Sequence, residues 1–268
     1  MKQVKTANAD EAVVRGNESS IHEDTANQLK MAGEVQRNFL PQQLPDSDVT
    51  KWAAIWRPAE WVSGDIYDVT RLDEKHIGFY IADAVGHSMP AALLTMFLKQ
   101  AIVMRQTTGN DYRIFDPLEV MTNLNRKMVE QELNGCLFAT CCYCLLNTRT
   151  LQLSFTRAGH PYPVLIRDGK FRQLENTGGL LGIFENAEFD QSTVQLQAGD
   201  KLFLYSDGCE NTVGGCDNEE QFHFNDNFCE LGDKPVDVLI EGFERLVQSQ
   251  NMPSDIIDDV TVIGLEIL

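Results

Sequence analysis

S-G-D-I-Y-D-V-T-R-L-D-E-K-H-I-G-F-Y-I-A-D-A-V-G-H, Ser63 to His87, decides the fold. It reads as a β-hairpin. Ile66 to Leu72 forms one strand, Asp73-Glu74-Lys75 is the polar tip, and His76 to Ala82 returns with Ile77, Phe79 and Ile81 alternating. Pairing that is symmetric about the tip leaves Asp65 and Asp83 near the same open end. Alternation sends Asp68, three residues on from Asp65, to the opposite face. Gly64 lets the backbone bend as the strand begins. Gly86 and His87 lead into a helix whose first turn holds Pro90, where a missing N–H costs nothing.

Outward from this hairpin, Trp52 to Pro58 is an earlier strand. The helix after His87 is expected to run to about Gln106, with Leu93, Leu94, Phe97, Leu98, Ala101 and Ile102 on its apolar face. Asp116 is an N-cap for the next helix, with Glu119 three residues on. Strands follow at Phe138 to Leu146, Leu151 to Ala158, Val164 to Arg167, Phe171 to Leu174, Val194 to Leu196 and Lys201 to Tyr205. Asp168-Gly169 marks a tight hairpin. Residues 209 to 232, rich in acidic residues, Cys, Asn and Gly, read as a long, partly ordered insert. A helix from Val236 to Gln248 and a strand from Val260 to Leu268 close the chain. Hairpins outnumber β-α-β crossovers, which predicts an α+β fold with antiparallel sheets. No Gly-rich phosphate loop follows the first strand.

Composition narrows the function. The chain has 268 residues, 43% of them hydrophobic, enough for a substantial core. Its formal charge of −18 argues against nucleic acid or an anionic membrane as partner. Cys141, Cys142 and Cys144 lie on one apolar run, where alternation prevents all three from facing one zinc ion. They read as buried free thiols in a reducing compartment. With no signal peptide and no apolar run of membrane-spanning length, a cytoplasmic protein is expected.

Four acidic motifs carry the chemistry: S-G-D-I-Y-D (Ser63 to Asp68), D-A-V-G-H (Asp83 to His87), Y-S-D-G (Tyr205 to Gly208) and D-D-V-T (Asp258 to Thr261). Each begins or ends a predicted strand. Asp207 ends the strand Leu202 to Ser206, Gly208 permits a sharp turn, and Asp258 and Asp259 precede the last strand. A single aspartate in such a place is commonly a cap or turn residue. Several massed together repel unless a cation lies between them, and carboxylate oxygens suit Mg²⁺ or Mn²⁺. Two ions sharing a bridging water would make a hydrolytic centre. His87 and His160 are candidates for supporting such a centre, and Arg57 for binding phosphate.

These motifs, together with R-P-A-E-W-V-S-G-D-I-Y-D (Arg57 to Asp68), D-A-V-G-H-S-M-P-A-A-L-L (Asp83 to Leu94), R-A-G-H-P-Y-P-V-L (Arg157 to Leu165), G-G-L-L-G-I (Gly178 to Ile183) and G-D-K-L-F-L-Y-S-D-G (Gly199 to Gly208), resemble the stage II sporulation protein E type of phosphatase. That group belongs to the metal-dependent Ser/Thr phosphatases of the 2C type. The resemblance runs in unbroken order from about Gln36 to Leu268. It implies a four-layer αββα sandwich and two Mn²⁺ or Mg²⁺ ions in the cleft between sheet ends. It also implies phosphoserine or phosphothreonine hydrolysis by a metal-bridging hydroxide, without a phosphoenzyme. By motif position, Asp65, Asp83, the Ala84 carbonyl, Asp207 and Asp258 hold the metals, with Asp83 as the bridge. Gly64, Asp68, Gly86, His87, Gly208 and Asp259 support them. Ser63 and Ser88 stand where the family usually has Gly, and neither change removes a carboxylate.

The substrate implied by the resemblance is a phosphorylated STAS-domain protein, an anti-sigma-factor antagonist. The alternative is a phosphatase-fold module that sequesters its partner with little turnover. Residues 1–20 are expected to be disordered. Ile21, Thr25, Leu29, Ala32, Val35 and Phe39 form an apolar stripe on a helix within residues 21–42, ahead of a phosphatase domain at 43–268. The helix either packs on the domain or acts as a dimerising or regulatory lever for an upstream sensor or receiver.

Overall fold

The computed structural model describes residues 23–86, 88–132, 137–217, 221–249 and 258–268. A helix, α1 (23–38), precedes the strands β1 (Thr50–Arg57), β2 (Asp65–Arg71) and β3 (His76–Ala84). Then come α2 (Met89–Ala101), a small hairpin of β4 (Arg105–Thr108) and β5 (Asp111–Ile114), and α3 (Pro117–Glu130). Strands β6 (Ala139–Asn147), β7 (Gln152–Ala158), β8 (Val164–Arg167), β9 (Lys170–Gln173), β10 (Gln191–Gln195) and β11 (Lys201–Tyr205) follow. The last part holds α4 (Glu210–Val213), β12 (Gly214–Cys216), β13 (Phe222–Phe224), α5 (Asp226–Cys229), α6 (Val236–Ser249) and β14 (Val260–Ile267).

Two five-stranded sheets dominate, in the orders β1-β14-β11-β8-β9 and β10-β7-β6-β3-β2. Every ladder within them is antiparallel. Their inner faces meet: Trp52 of β1 packs edge-on against Phe79 of β3, ring centroids 5.0 Å apart. Helices α2 and α3 cover the outer face of the second sheet, and α6 covers the outer face of the first. This is the αββα sandwich. The central strand β6 is buried on both faces, so A-T-C-C-Y-C-L-L carries no polar alternation. Cys141, Cys142 and Cys144 are buried free thiols there, as expected. The edge strand β10, Q-S-T-V-Q, is polar apart from Val194.

Three expectations change. Helix α2 ends at Ala101, not near Gln106, because R-Q-T-T and D-Y-R-I pair as a hairpin about Gly109. The segment after Asp207 is not a partly ordered insert where it is described. It folds as α4, the β12–β13 ribbon and α5, anchored when Phe228 enters a ring cluster 4.9 Å from Phe203, 5.0 Å from Phe171 and 5.2 Å from Phe243. The stripe on α1 is also turned. Gly33, Gln36 and Leu40 face the body, whereas Val35 and Phe39 join Met31 as exposed side chains. The cause is a backbone approach: a Cβ on Gly33 would lie 1.8 Å from the Trp61 carbonyl oxygen. Residues 1–20, Ile21 and His87 lie outside the described residues. Among those described, no helix is long and apolar enough to cross a membrane.

Candidate metal centre

The β2–β3 ladder places Asp65 directly opposite Asp83. The tip residues Asp73 to Lys75 set this register. Asp73 accepts hydrogen bonds from the Lys75 and His76 backbone N–H groups, both at 2.7 Å, so the turn closes symmetrically. At the facing ends of the other sheet, Ser206 links β11 to β14: Thr261 N–H donates to Ser206 Oγ at 3.0 Å. Asp207 and the pair Asp258–Asp259 therefore leave adjacent strands side by side. Gly208 permits the approach, since a Cβ there would lie 2.2 Å from the Asp259 carbonyl oxygen.

Asp259 joins the two halves. It is 3% exposed, and its carboxylate accepts from Gly64 N–H at 2.6 Å and Ala59 N–H at 2.7 Å. The loop that presents Asp65 is thus stapled to the start of β14. Gly64 is needed there, because a Cβ would lie 2.4 Å from the Gly86 carbonyl oxygen and 2.7 Å from that of Ala84. Ala84 N–H in turn donates to Gly64 O at 2.8 Å. Ser63 contributes its Oγ as acceptor for Asp65 N–H at 3.0 Å.

Asp65, Asp83, Asp207, Asp258 and Asp259 lie near enough to perturb one another's charge. Asp65 is 1% exposed, and burial, then Asp83 and Asp259, hold its carboxyl well above the usual range. The hydroxyls of Thr261 and Ser206 pull the other way. Asp83 is pushed up to about 8 by burial and by Asp207, Asp258 and Asp259. Asp207 is raised by the protein around it and by Asp258, although its side chain is open to water. Asp259 is raised by burial, against the two backbone bonds it accepts. Asp258 is exposed, and its Oδ1 accepts from Asp259 N–H at 2.8 Å.

This donor set fits a hard cation. All its ligating atoms would be oxygen, and Asp65 Oδ2 is buried with no hydrogen-bond partner. Among the described residues, no three His, Cys, Asp or Glu side chains already close round a single point. Like-charged carboxylates do not hold each other there.

Asp68 is not part of the cluster. It points to the other face of β2, as alternation requires, and pairs with Lys99 of α2 at 2.8 Å. Arg57 is exposed at the end of β1. His160 is buried in the wall of a cleft of about 780 Å³, which Asp83, Thr140, Arg157, Asp207 and Glu210 also line.

Sequence reasoning missed Gln36. Its side chain pairs reciprocally with the Ser63 backbone, Nε2 to Ser63 O at 2.7 Å and Ser63 N to Oε1 at 2.9 Å, and also reaches Thr95 Oγ1 at 2.9 Å. The available signal was a polar residue in line with Leu29, Gly33 and Leu40 on the buried side of α1. Thr140, Ser206 and Thr261 were missed because hydroxyls on strands carry no motif of their own.

The family model described as "Stage II sporulation protein E (SpoIIE)" matches residues 73–268. The chain belongs to the SpoIIE family. Its fold is that of the PP2C-type phosphatase domains. It is similar to the phosphoserine phosphatase RsbU of Bacillus subtilis (strain 168), 29% identical over 251 residues, covering 91% of this chain and 71% of that one. Its fold matches the SiaA-PP2C domain of Pseudomonas aeruginosa, with a TM-score of 0.72 at 21% identity over 92% of this chain and 99% of that one. It also matches the PP2C phosphatase domain of SpoIIE from Bacillus subtilis, with a TM-score of 0.64 at 16% identity over 82% of this chain and 64% of that one.

Proposed function

We propose that this SpoIIE-family protein is a Mn²⁺- or Mg²⁺-dependent phosphoserine phosphatase acting on a phosphorylated STAS-domain protein in the cytoplasm. One observation carries the metal-dependent hydrolysis: Asp65 and Asp83 from one sheet lie near Asp207, Asp258 and Asp259 from the other, and Asp83 and Asp207 line a cleft. Asp65, Asp83, Asp207, Asp258 and the Ala84 carbonyl would hold two ions. When bound, the ions supply an activated water and neutralise charge on the phosphoryl group. Asp259 holds the Asp65 loop, each of its oxygens accepting from a backbone N–H group. The cleft wall at Arg157, Tyr162, Gln173, Glu175 and Phe222 receives the peptide around the phosphoserine. Arg157 holds that wall in shape, donating to His160 O at 2.5 Å and Asn176 O at 2.9 Å and stacking on Tyr162. The STAS partner is supported by the resemblance, and a phosphoserine substrate by the similarity to the phosphoserine phosphatase RsbU.

Helix α1 carries the regulatory input from an upstream sensor or receiver. Gln36 couples it to Ser63, two residues before Asp65. Met31, Val35 and Phe39 leave an exposed apolar flank through which α1 pairs with a second copy. Val35→Asp should lower the mass in solution, and an unchanged monomeric mass in both proteins would remove the dimer.

The deciding experiment is turnover of p-nitrophenyl phosphate and a phosphoserine peptide with and without Mn²⁺, for the natural protein and Asp83→Asn. Metal-independent turnover, or full turnover in Asp83→Asn, would sink the proposal. Tight binding of the phosphoprotein with no hydrolysis would favour sequestration instead.

A further inference from the structure

Strand β3 has a neighbour on each side. Asp83 is the direct partner of Asp65 on β2 and, on its other side, of Thr140 on β6. Directly opposed residues project from the same face with Cβ atoms ~4.5–5.5 Å apart. Asp65, Asp83 and Thr140 therefore form one row across three strands. Asp83 and Thr140 both line the cleft.

A threonine hydroxyl is normally a rotor. Here it is held, because His160 Nδ1 lies 2.8 Å from Thr140 Oγ1. The imidazole is 1% exposed, and burial followed by the Arg157 guanidinium pulls its pKa down to about 3, so the ring is neutral at physiological pH. A neutral ring has one N–H and one lone pair; the Nδ1–H tautomer donates to Thr140 Oγ1 and leaves the hydroxyl proton free to donate to the Asp83 carboxylate. The backbone beneath the ring is braced as well. Gly159 bridges to Cys141 in parallel register, and the His160 carbonyl accepts from Arg157. His160 Nε2 is buried without a hydrogen-bond partner. A core built for stability alone would place an apolar ring here, since an orphaned polar atom costs stability.

We propose that Thr140 and His160 are positioning residues for Asp83: His160 holds the Thr140 hydroxyl, and that hydroxyl orients the Asp83 carboxylate toward the ion site. This rests on Asp83 being a metal ligand. Neither residue touches the ion or the phosphoryl group. Their role is that of an outer hydrogen-bonding shell, which tunes affinity through the ligand it supports.

The test is calorimetric titration of metal-free protein with Mn²⁺, run beside thermal unfolding of the same samples. Thr140→Val keeps the shape and the strand preference but removes the hydroxyl. It should weaken Mn²⁺ binding by about 10–100-fold while leaving the metal-free unfolding temperature nearly unchanged. Thr140→Ser should restore binding. His160→Asn, whose amide can replace Nδ1, should retain more affinity than His160→Phe. The double variant Thr140→Val/His160→Phe should bind no more weakly than the weaker single variant, because the pair acts as one unit. If His160→Phe does not fold, the Thr140→Val and Thr140→Ser comparison decides. Natural Mn²⁺ affinity in Thr140→Val overturns the proposal. Asp83→Asn in the same titration separates the two levels. Loss of binding there but none in Thr140→Val defeats the positioning role alone. Unchanged binding in Asp83→Asn defeats the ligand reading and the positioning role with it.

Discussion

Asp65 and Asp83 are direct cross-strand partners at the open end of the β2–β3 hairpin, and burial keeps the first of them almost wholly from solvent. Two like charges so placed destabilise the fold unless they are protonated or share a cation. Asp83→Asn should therefore raise the unfolding temperature of the metal-free protein by a few degrees, in line with ~1 kcal/mol for a domain of this size. The same change should lower Mn²⁺-dependent turnover about 100-fold or more. Paired thermal melts and turnover assays check both halves. A variant that loses stability and keeps activity would contradict the arrangement.

The pH dependence follows from the same charges. The Asp83 carboxyl, ordinarily near 3.8, is held at about 8 in the folded chain, and Asp65, Asp207 and Asp259 shift in the same direction. Between about pH 4 and pH 8 the folded chain binds more protons than the unfolded chain, so stability falls as pH rises. The contribution is complete below the lower value and lost as pH passes the upper one. Melts in chelator should show a decline from pH 5 to pH 8 that is shallower in Asp83→Asn. Saturating Mn²⁺ should stabilise most at the alkaline end. A metal-free protein that gains stability from pH 5 to pH 8 would refute this.

Asp68 provides the contrast. It lies in the same motif as Asp65 but pairs with Lys99 on the other face of β2. Asp68→Asn should leave Mn²⁺ affinity unaltered and cost at most about 1 kcal/mol in urea unfolding, as a partly exposed pair does. A large loss of metal affinity would place Asp68 in the centre after all.

Gln36→Ala removes three buried hydrogen bonds and leaves the Ser63 N–H and carbonyl without their side-chain partner. The expected destabilisation is ~1–3 kcal/mol, measured by urea unfolding. Because Ser63 also holds Asp65 N–H, the Mn²⁺ concentration for half-activity should shift as well. A stability loss with no shift in metal requirement would reduce α1 to packing.

Gly208→Ala tests the meeting of the two strand ends. The added methyl would sit 2.2 Å from the Asp259 carbonyl oxygen, so β11 and β14 must part where Asp207 and Asp258 emerge. The expected cost is about 2 kcal/mol or more, with Mn²⁺ binding weakened in the same protein. Crystallisation or a titration showing an intact centre would rule this out.

Much of this was legible in the chain. Alternation along Ile77, Phe79 and Ile81 marked β3 as a strand, although both its faces are buried, and the tip at Asp73 to Lys75 fixed the register of the β2–β3 hairpin. That was enough to bring Asp65 level with Asp83 and to send Asp68 away. Local patterning misled where contact is made by backbone. Apolar spacing put Val35 and Phe39 on the packed side of α1, yet the close approach at Gly33 turned them outward. The segment after Asp207 reads as polar loop in one dimension, but its few phenylalanines find Phe171, Phe203 and Phe243 in three.

By itself, the sequence determined most strands along the chain, the β2–β3 and β8–β9 hairpins and the identity of the acidic residues, because side-chain periodicity and turn chemistry are local properties. Only the tertiary structure decided that Asp259 would spend both oxygens on Gly64 and Ala59, that Gln36 would grip Ser63, and that Thr140 and His160 would stand beside Asp83. Those relations join residues far apart in the chain. They arise from sheet register and sheet-on-sheet packing, which no local pattern encodes.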